Sequence, residues 1–255
     1  MFWQIARKAK LMNEKTEFYT DPKNIDAFRR NGKAANAYLT VSAPGYYAEV
    51  VTCSEACPLV QNVNVDPNLS LRYLPRGTTS RAAPGVVRLM IVATNPGSPQ
   101  EREDGQYRGK SGEALADAAW QFTAATLEGN TAFSHTLAPL LAEASFLLDC
   151  PESEVLDQCV FTNHVRCSTP QSFSAYNKGE DLHQRKQISQ ICITRHLVRE
   201  IEYWSPDRVA VFSATARDAM RTAGVDFHGY IAHPTALGKN RNREYRQQKL
   251  AELKN

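Results

Sequence analysis

The sequence predicts a doubly wound α/β fold with three layers, α/β/α, around a central four-stranded parallel sheet. Three observations carry that prediction. Four short apolar runs rich in β-branched residues have the length and composition of buried parallel strands. Helical periodicity fills the intervals between them, and strands separated by helices call for a parallel sheet covered on both faces. The chain is also large enough: 255 residues, 42% of them apolar and 22% charged, bury a full core as one domain or at most two.

The first 50 or so residues mix basic pairs, Arg7-Lys8 and Arg29-Arg30, with aromatics and read as short helices. Lys plus Arg outnumber Asp plus Glu eight to four through Lys33, so residues 1–50 form a basic helical extension packed on a core domain of residues 51–255. Tyr46 to Val51 reads as a short strand before a turn from Cys53 to Cys57, and Asp66 to Gly85, with Arg72, Arg76 and Arg81 among Pro, Gly, Ser and Thr, reads as loop. Val86 to Ala93 is the first core strand, stopped by Asn95-Pro96-Gly97. Helices over Ser111–Leu127 and Leu137–Leu148 lead to a second strand, Cys159–Asn163. A long helix from Leu182 to Trp204 precedes a third, Arg208–Phe212, and Tyr230–Ala232 forms the fourth, ahead of His233-Pro234.

Composition narrows the function classes. No apolar stretch approaches the ~20 residues that span a bilayer, so no membrane partner is expected. The opening Met1-Phe2-Trp3-Gln4-Ile5-Ala6-Arg7-Lys8 has neither a sustained apolar segment nor a small-residue cleavage site, which predicts a cytoplasmic protein. In that reducing compartment six cysteines are expected to bind metal or do chemistry rather than pair as disulfides. A net charge of +3 does not announce a polyanionic partner, so local clustering has to make that case.

In a doubly wound sheet ligands bind beyond the carboxyl ends of the strands, where loops and helix N-termini converge. That rule selects Thr94–Gly97, Thr162–Cys167, Ser213–Thr215 and His233–Lys239. Asn95 is held at the end of the first strand by a Pro-Gly turn; the same residue also suits a plain strand-to-helix turn. Asn163 offers a donor and an acceptor to a planar heterocycle, or caps a turn. His233 is placed to face an oxyanion, with apolar Leu237 on the loop beyond it. Lys239, Arg241, Arg243, Arg246 and Lys249 suit phosphates, and read equally as a solvated helix face. Cys53-x3-Cys57 and Cys167-x24-Cys192 place four thiols near these loops, a set that suits either zinc or an iron–sulfur cluster. Cys192 also fits the apolar face of its helix, with Ile188, Ile191 and Ile201, as an ordinary core residue. Cys150 and Cys159 read as core.

Taken in order, these segments resemble the uracil-DNA glycosylase superfamily over roughly Cys53 to Lys239. The branch with four cysteine ligands has a Cys pair followed by an apolar residue, as in Cys53-Ser54-Glu55-Ala56-Cys57-Pro58-Leu59. A Pro-Gly motif then ends strand one, Thr162-Asn163-His164-Val165-Arg166-Cys167 ends strand two, a further Cys follows in the next helix, and a His-Pro loop ends the last strand. Thr94-Asn95-Pro96-Gly97 stands where that branch has Glu-Ala-Pro-Gly and is similar instead to the mismatch-specific branch. The loop His233-Pro234-Thr235-Ala236-Leu237-Gly238-Lys239 also has the layout of the mismatch branch.

The resemblance implies a glycosylase-like catalytic domain over residues 51–255. It makes Asn95 the residue that positions water and His233 the donor to the departing base. Asn163, Tyr107 and Thr94 would bind the base, with Tyr107 stacking on it. Leu237 would be the wedge, and Lys239, Arg241 and Arg243 the grip on DNA. Cys53, Cys57, Cys167 and Cys192 would hold a structural [4Fe–4S] cluster, with zinc as the second choice. The expected activity is that of a monomeric, monofunctional DNA glycosylase acting on uracil or a modified pyrimidine and leaving an abasic site. One alternative is a phage-defence glycosylase that excises a glucosylated hydroxymethylcytosine; another is a binder of modified or abasic DNA that does not cut. A nucleotide hydrolase ranks below these, because no Gly-rich phosphate cradle follows the first strand.

Overall fold

The computed structural model describes residues 43–53, 57, 80–96, 107, 109–125, 134–168, 179–233 and 243–254. Its elements run in the order α1 (Gly45–Val51), β1 (Leu89–Ala93), α2 (Gly112–Ala125), α3 (Ser134–Leu148), a short 3-10 turn (Glu152–Asp157) and β2 (Cys159–Asn163). They continue with α4 (Gly179–Cys192), a π-helical turn (Ile193–Leu197), α5 (Val198–Trp204), β3 (Val209–Val211), α6 (Ala214–Thr222), β4 (Gly229–Tyr230) and α7 (Arg243–Lys254).

The four strands form one parallel sheet in the order β2-β1-β3-β4. β1, β2 and β3 carry buried apolar residues on both sides because each side faces a helical layer, and the alternation can be read residue by residue. Met90 and Val92 of β1, Val160 of β2, and Val209 and Val211 of β3 join one core with α1, α2, Leu197, Trp204 and Met220. Leu89, Ile91, Cys159, Phe161, Ala210 and Phe212 join a second core with α3, the 3-10 turn and Leu250 of α7. The predicted four-stranded parallel sheet between helical layers is therefore present.

The second strand lies where its sequence placed it, and the long helix from Leu182 to Trp204 is continuous through α4, the π-helical turn and α5. One expectation is corrected. Tyr46 to Val51 lies in a helix, because Tyr47, Val50 and Val51 are spaced to bury a single stripe, Tyr47 packing edge-on to Trp120 at 5.3 Å between ring centroids. The aromatic and β-branched composition argues for a strand, but packing against α2 overrides it. Among the described residues, no helix is long and apolar enough to cross a membrane.

Candidate functional site

The chain leaves β1 toward β2 on one side, while β3 continues to β4 on the other, so the loops diverge between β1 and β3. This is the switch point where a crevice opens in such sheets. A hydrogen bond between the hydroxyls of Thr94 and Ser213 bridges the two loops there. Ser213 is also the N-cap of α6, its Oγ accepting from the Ala216 N–H at 3.3 Å. One serine thus fixes both the start of a helix and the loop that carries Asn95.

The ladder between β1 and β2 runs past the strand ends. The His164 N–H donates to the Ala93 carbonyl and the Val165 N–H to the Thr94 carbonyl, both at 3.0 Å. Asn163 pairs with Ala93 in register and is 4% exposed, while Thr94 and Asn95 are half-buried beside it. At the opposite side of the sheet the Ile231 N–H donates to Val211, which brings the chain to half-buried His233. Burial, reinforced by the nearby positive charge of Arg246, pushes the His233 imidazole down to about 4. At neutral pH this ring is an uncharged donor and acceptor.

Beneath the end of β2 lies a buried polar network that sequence reading missed. Arg166, fully enclosed, donates to the Thr162 hydroxyl and to the Glu200 carboxylate. Thr162 donates to Glu200 at 2.7 Å, Tyr46 donates to the other carboxylate oxygen at 2.8 Å, and Trp204 donates to the Tyr46 oxygen at 3.1 Å. Burial and the Glu200 charge hold Tyr46 well above the ordinary phenol range, so it remains a donor. The network binds α1, β2 and α5 together immediately before Cys167. His164 is likewise enclosed, its ring nitrogens facing the Ala93 carbonyl at 3.3 Å and the Ser189 hydroxyl at 3.2 Å.

Cys57, Cys167 and Cys192 share one buried cluster with Val165 and Ile188. Burial pushes the Cys192 thiol up to about 12 and holds Cys167 well above the ordinary thiol range, and both feel Cys57 and half-buried Cys53. The backbone N–H of Arg166 is directed at the Cys192 sulfur and opposes that rise. All four are free thiols. Among the described residues, no three His, Cys, Asp or Glu side chains close on a common point as a metal site. The donor set nevertheless suits a soft metal centre in kind: three buried thiols from distant segments in one cluster, Cys53 close enough to act on two of them, apolar walls, and a backbone donor to sulfur.

The remaining predicted residues divide plainly. Leu237, Lys239 and Arg241 lie outside the described residues, as does the side chain of Arg243, the first residue of α7. Tyr107 is fully buried in the core that contains α1 and α2, its ring edge-on to Phe122 at 6.0 Å. Cys159 is core, as expected, and Cys150 packs against the same cluster. A pocket of about 300 Å³ bounded by Arg221, Gly224, Val225, Asp226 and Phe227 follows the end of α6, at the edge of the sheet away from these residues. Compared with models of known protein families the chain matches none, and no curated protein is significantly similar to it.

Proposed function

We propose that the protein is a monofunctional DNA glycosylase with a uracil-DNA glycosylase-like fold, acting on uracil or a modified pyrimidine. One observation carries the reading: Asn95, Asn163 and a neutral His233 follow or end three strands at the same carboxyl edge of one parallel sheet. A base within a duplex is out of reach, so the target nucleotide must first be extruded, at a cost of a few kcal/mol for unstacking. Leu237 would fill the gap, and Lys239, Arg241 and Arg243 would hold the flanking phosphates.

At the carboxyl edge of the sheet Asn163 reads the base edge, and Thr94, anchored by Ser213, holds the first loop beside it. The bond between C1′ and the base nitrogen breaks with its electron pair leaving on the base. Water held by Asn95 adds its oxygen to C1′ and loses a proton to solvent, and the base anion takes one up from solvent, so the products are an abasic sugar and the neutral free base. His233 donates a hydrogen bond to the base oxygen as negative charge accumulates there. A neutral imidazole suits this role because it stabilises the anion without surrendering a proton to it.

Cys53, Cys57, Cys167 and Cys192 would hold a [4Fe–4S] cluster, with zinc as the alternative, and the group would supply structural cross-linking when bound. The residues themselves would then tie the end of α1, the loop after β2 and α4 into one support for the DNA-facing loops. The partner is DNA, the acting unit a monomer and the compartment the cytoplasm.

The test is base release from matched DNAs containing uracil, thymine opposite guanine, hypoxanthine, 5-hydroxymethylcytosine or its glucosylated form, with abasic sites scored by alkaline cleavage. Release of uracil or of one modified pyrimidine supports the reading and names the substrate. Salt-dependent binding without release from any substrate overturns it in favour of a non-cutting binder.

A further inference from the structure

The basic run after His233 contains one residue that does not behave as a surface cation. Arg246, Leu250 and Leu253 fall on one face of α7, and that face is seated on the sheet. The contact is close enough that a Cβ on Gly229 of β4 would come within 2.0 Å of the Leu253 side chain. Lys249 and Glu252, on the other side, pair with each other near solvent. Arg246 is instead buried, and an apolar side chain at such a position would avoid the desolvation of a guanidinium.

Its donors show where that charge is used. Nε and Nη2 each donate to the buried carboxylate of Glu143 on α3 at 2.8 Å, a two-point fork that fixes the guanidinium plane. Nη1 donates to the Ala232 carbonyl at 2.5 Å, the residue immediately before His233. We infer that Arg246 is a positioning residue for His233: it holds the end of β4 through the Ala232 carbonyl and presents a fixed positive charge to the imidazole, with Glu143 as its anchor. The inference rests on the reading of His233 as the donor to the departing base. Arg246 is the charge that acts on the ring from α7, and Glu143 stands behind it on α3. Among the described residues, Tyr230 on β4 feels the same guanidinium, together with Tyr245 on α7 and Arg217 and Asp218 on α6.

Titration of the imidazole by NMR tests this directly, with the His233 signal identified by its loss in His233→Gln. Arg246→Met should move the His233 midpoint upward by on the order of one pH unit, since a nearby positive charge is removed. Glu143→Gln should leave the midpoint low, because Glu143, raised by burial to about 7, is already uncharged at the pH where His233 titrates and Arg246 keeps its charge. Arg246→Lys keeps the charge and loses the fork, so the midpoint should stay low while base release falls by about tenfold. Should Arg246→Met fail to fold, the double variant Arg246→Met with Glu143→Leu removes both charges from the buried face and should also raise the midpoint. An unmoved midpoint in a folded variant lacking Arg246, or an upward shift in Glu143→Gln as large as that in Arg246→Met, overturns the inference. Absence of base release by the unaltered protein would defeat the glycosylase reading alone, because the titration reports on Arg246 whether or not DNA is cut.

Discussion

Asn95 and Glu200 stand at two extremes of how this protein uses a polar side chain. Asn95 is half-buried on a loop whose geometry is secured elsewhere, by the Thr94 to Ser213 hydrogen bond. Asn95→Ala should therefore leave the urea midpoint unchanged and lower base release by about 10² to 10³, the usual cost of one lost group positioned for the transition state. A fall in stability to match would mean that Asn95 is a structural turn residue instead. Glu200 is fully enclosed and receives bonds from Arg166, Thr162 and Tyr46. Glu200→Gln leaves the Arg166 charge buried without its counter-charge and should cost about 3–5 kcal/mol in urea unfolding. Arg166→Met combined with Glu200→Leu should cost less than Glu200→Gln alone, since the expense lies in the uncompensated charge rather than in the loss of the pair.

At the level of elements, several helix ends are tied down by side chains from distant parts of the chain. The carboxyl end of α3 is met by three cations: Lys254 donates to Phe146 at 2.9 Å, Arg208 to Leu147 at 3.1 Å and Arg88 to Leu148 at 3.3 Å. Arg208 reaches the last carbonyls of α7 as well. These bonds satisfy acceptors that no helix can satisfy internally. α5 ends at Ser205, whose φ of 45° lies in the left-handed region that glycine occupies without strain. Ser205→Gly should raise the unfolding free energy by roughly 0.5–1 kcal/mol, visible as a higher thermal midpoint. α7 and β4 touch where Gly229 leaves room for Leu253. Gly229→Ala should cost about 1 kcal/mol, and Leu253→Ala in the same chain should recover part of that loss; equal losses with and without the leucine would show that the contact does not limit the site.

For the molecule as a whole, acid should be the more damaging direction of pH. His164, His196 and His233 are each pushed down to about 4, with burial the largest cause. A base whose folded pKa lies below its unfolded value of about 6.5 contributes stability above that value, and loses it as pH falls toward the folded one. For fully enclosed His164 the loss amounts to about 2 kcal/mol at pH 5. Glu143 works the other way. Burial, opposed by Arg246, raises it to about 7, so its contribution is complete below 4.5 and declines as pH rises through 7. One carboxyl set against three imidazoles leaves a net loss in acid. The urea midpoint should fall between pH 7 and pH 5, and His164→Asn should flatten that fall; an unchanged slope would remove His164 as a cause.

The sequence by itself determined what short windows can encode. A β-branched run such as Cys159–Asn163 has one low-energy use in a chain with helices on either side, and its strand and polar end were legible for that reason. The same logic picked out Asn95, Asn163 and His233, because strand ends define the carboxyl edge of a parallel sheet before any packing is known. Only the tertiary structure decided the rest. Arg246 was indistinguishable in sequence from the basic residues around it, since its partner Glu143 lies 103 residues away on another element. The Arg166 to Glu200 network and the enclosed Tyr107 follow the same pattern, as does the helix at Tyr46 to Val51, whose partners on α2 and α5 come much later in the chain. Local propensity differences amount to about 1 kcal/mol or less per residue, whereas burying an aromatic ring or completing a charged network involves several. Where the two disagree, the long-range term prevails, and it becomes visible only once the chain has brought distant residues together.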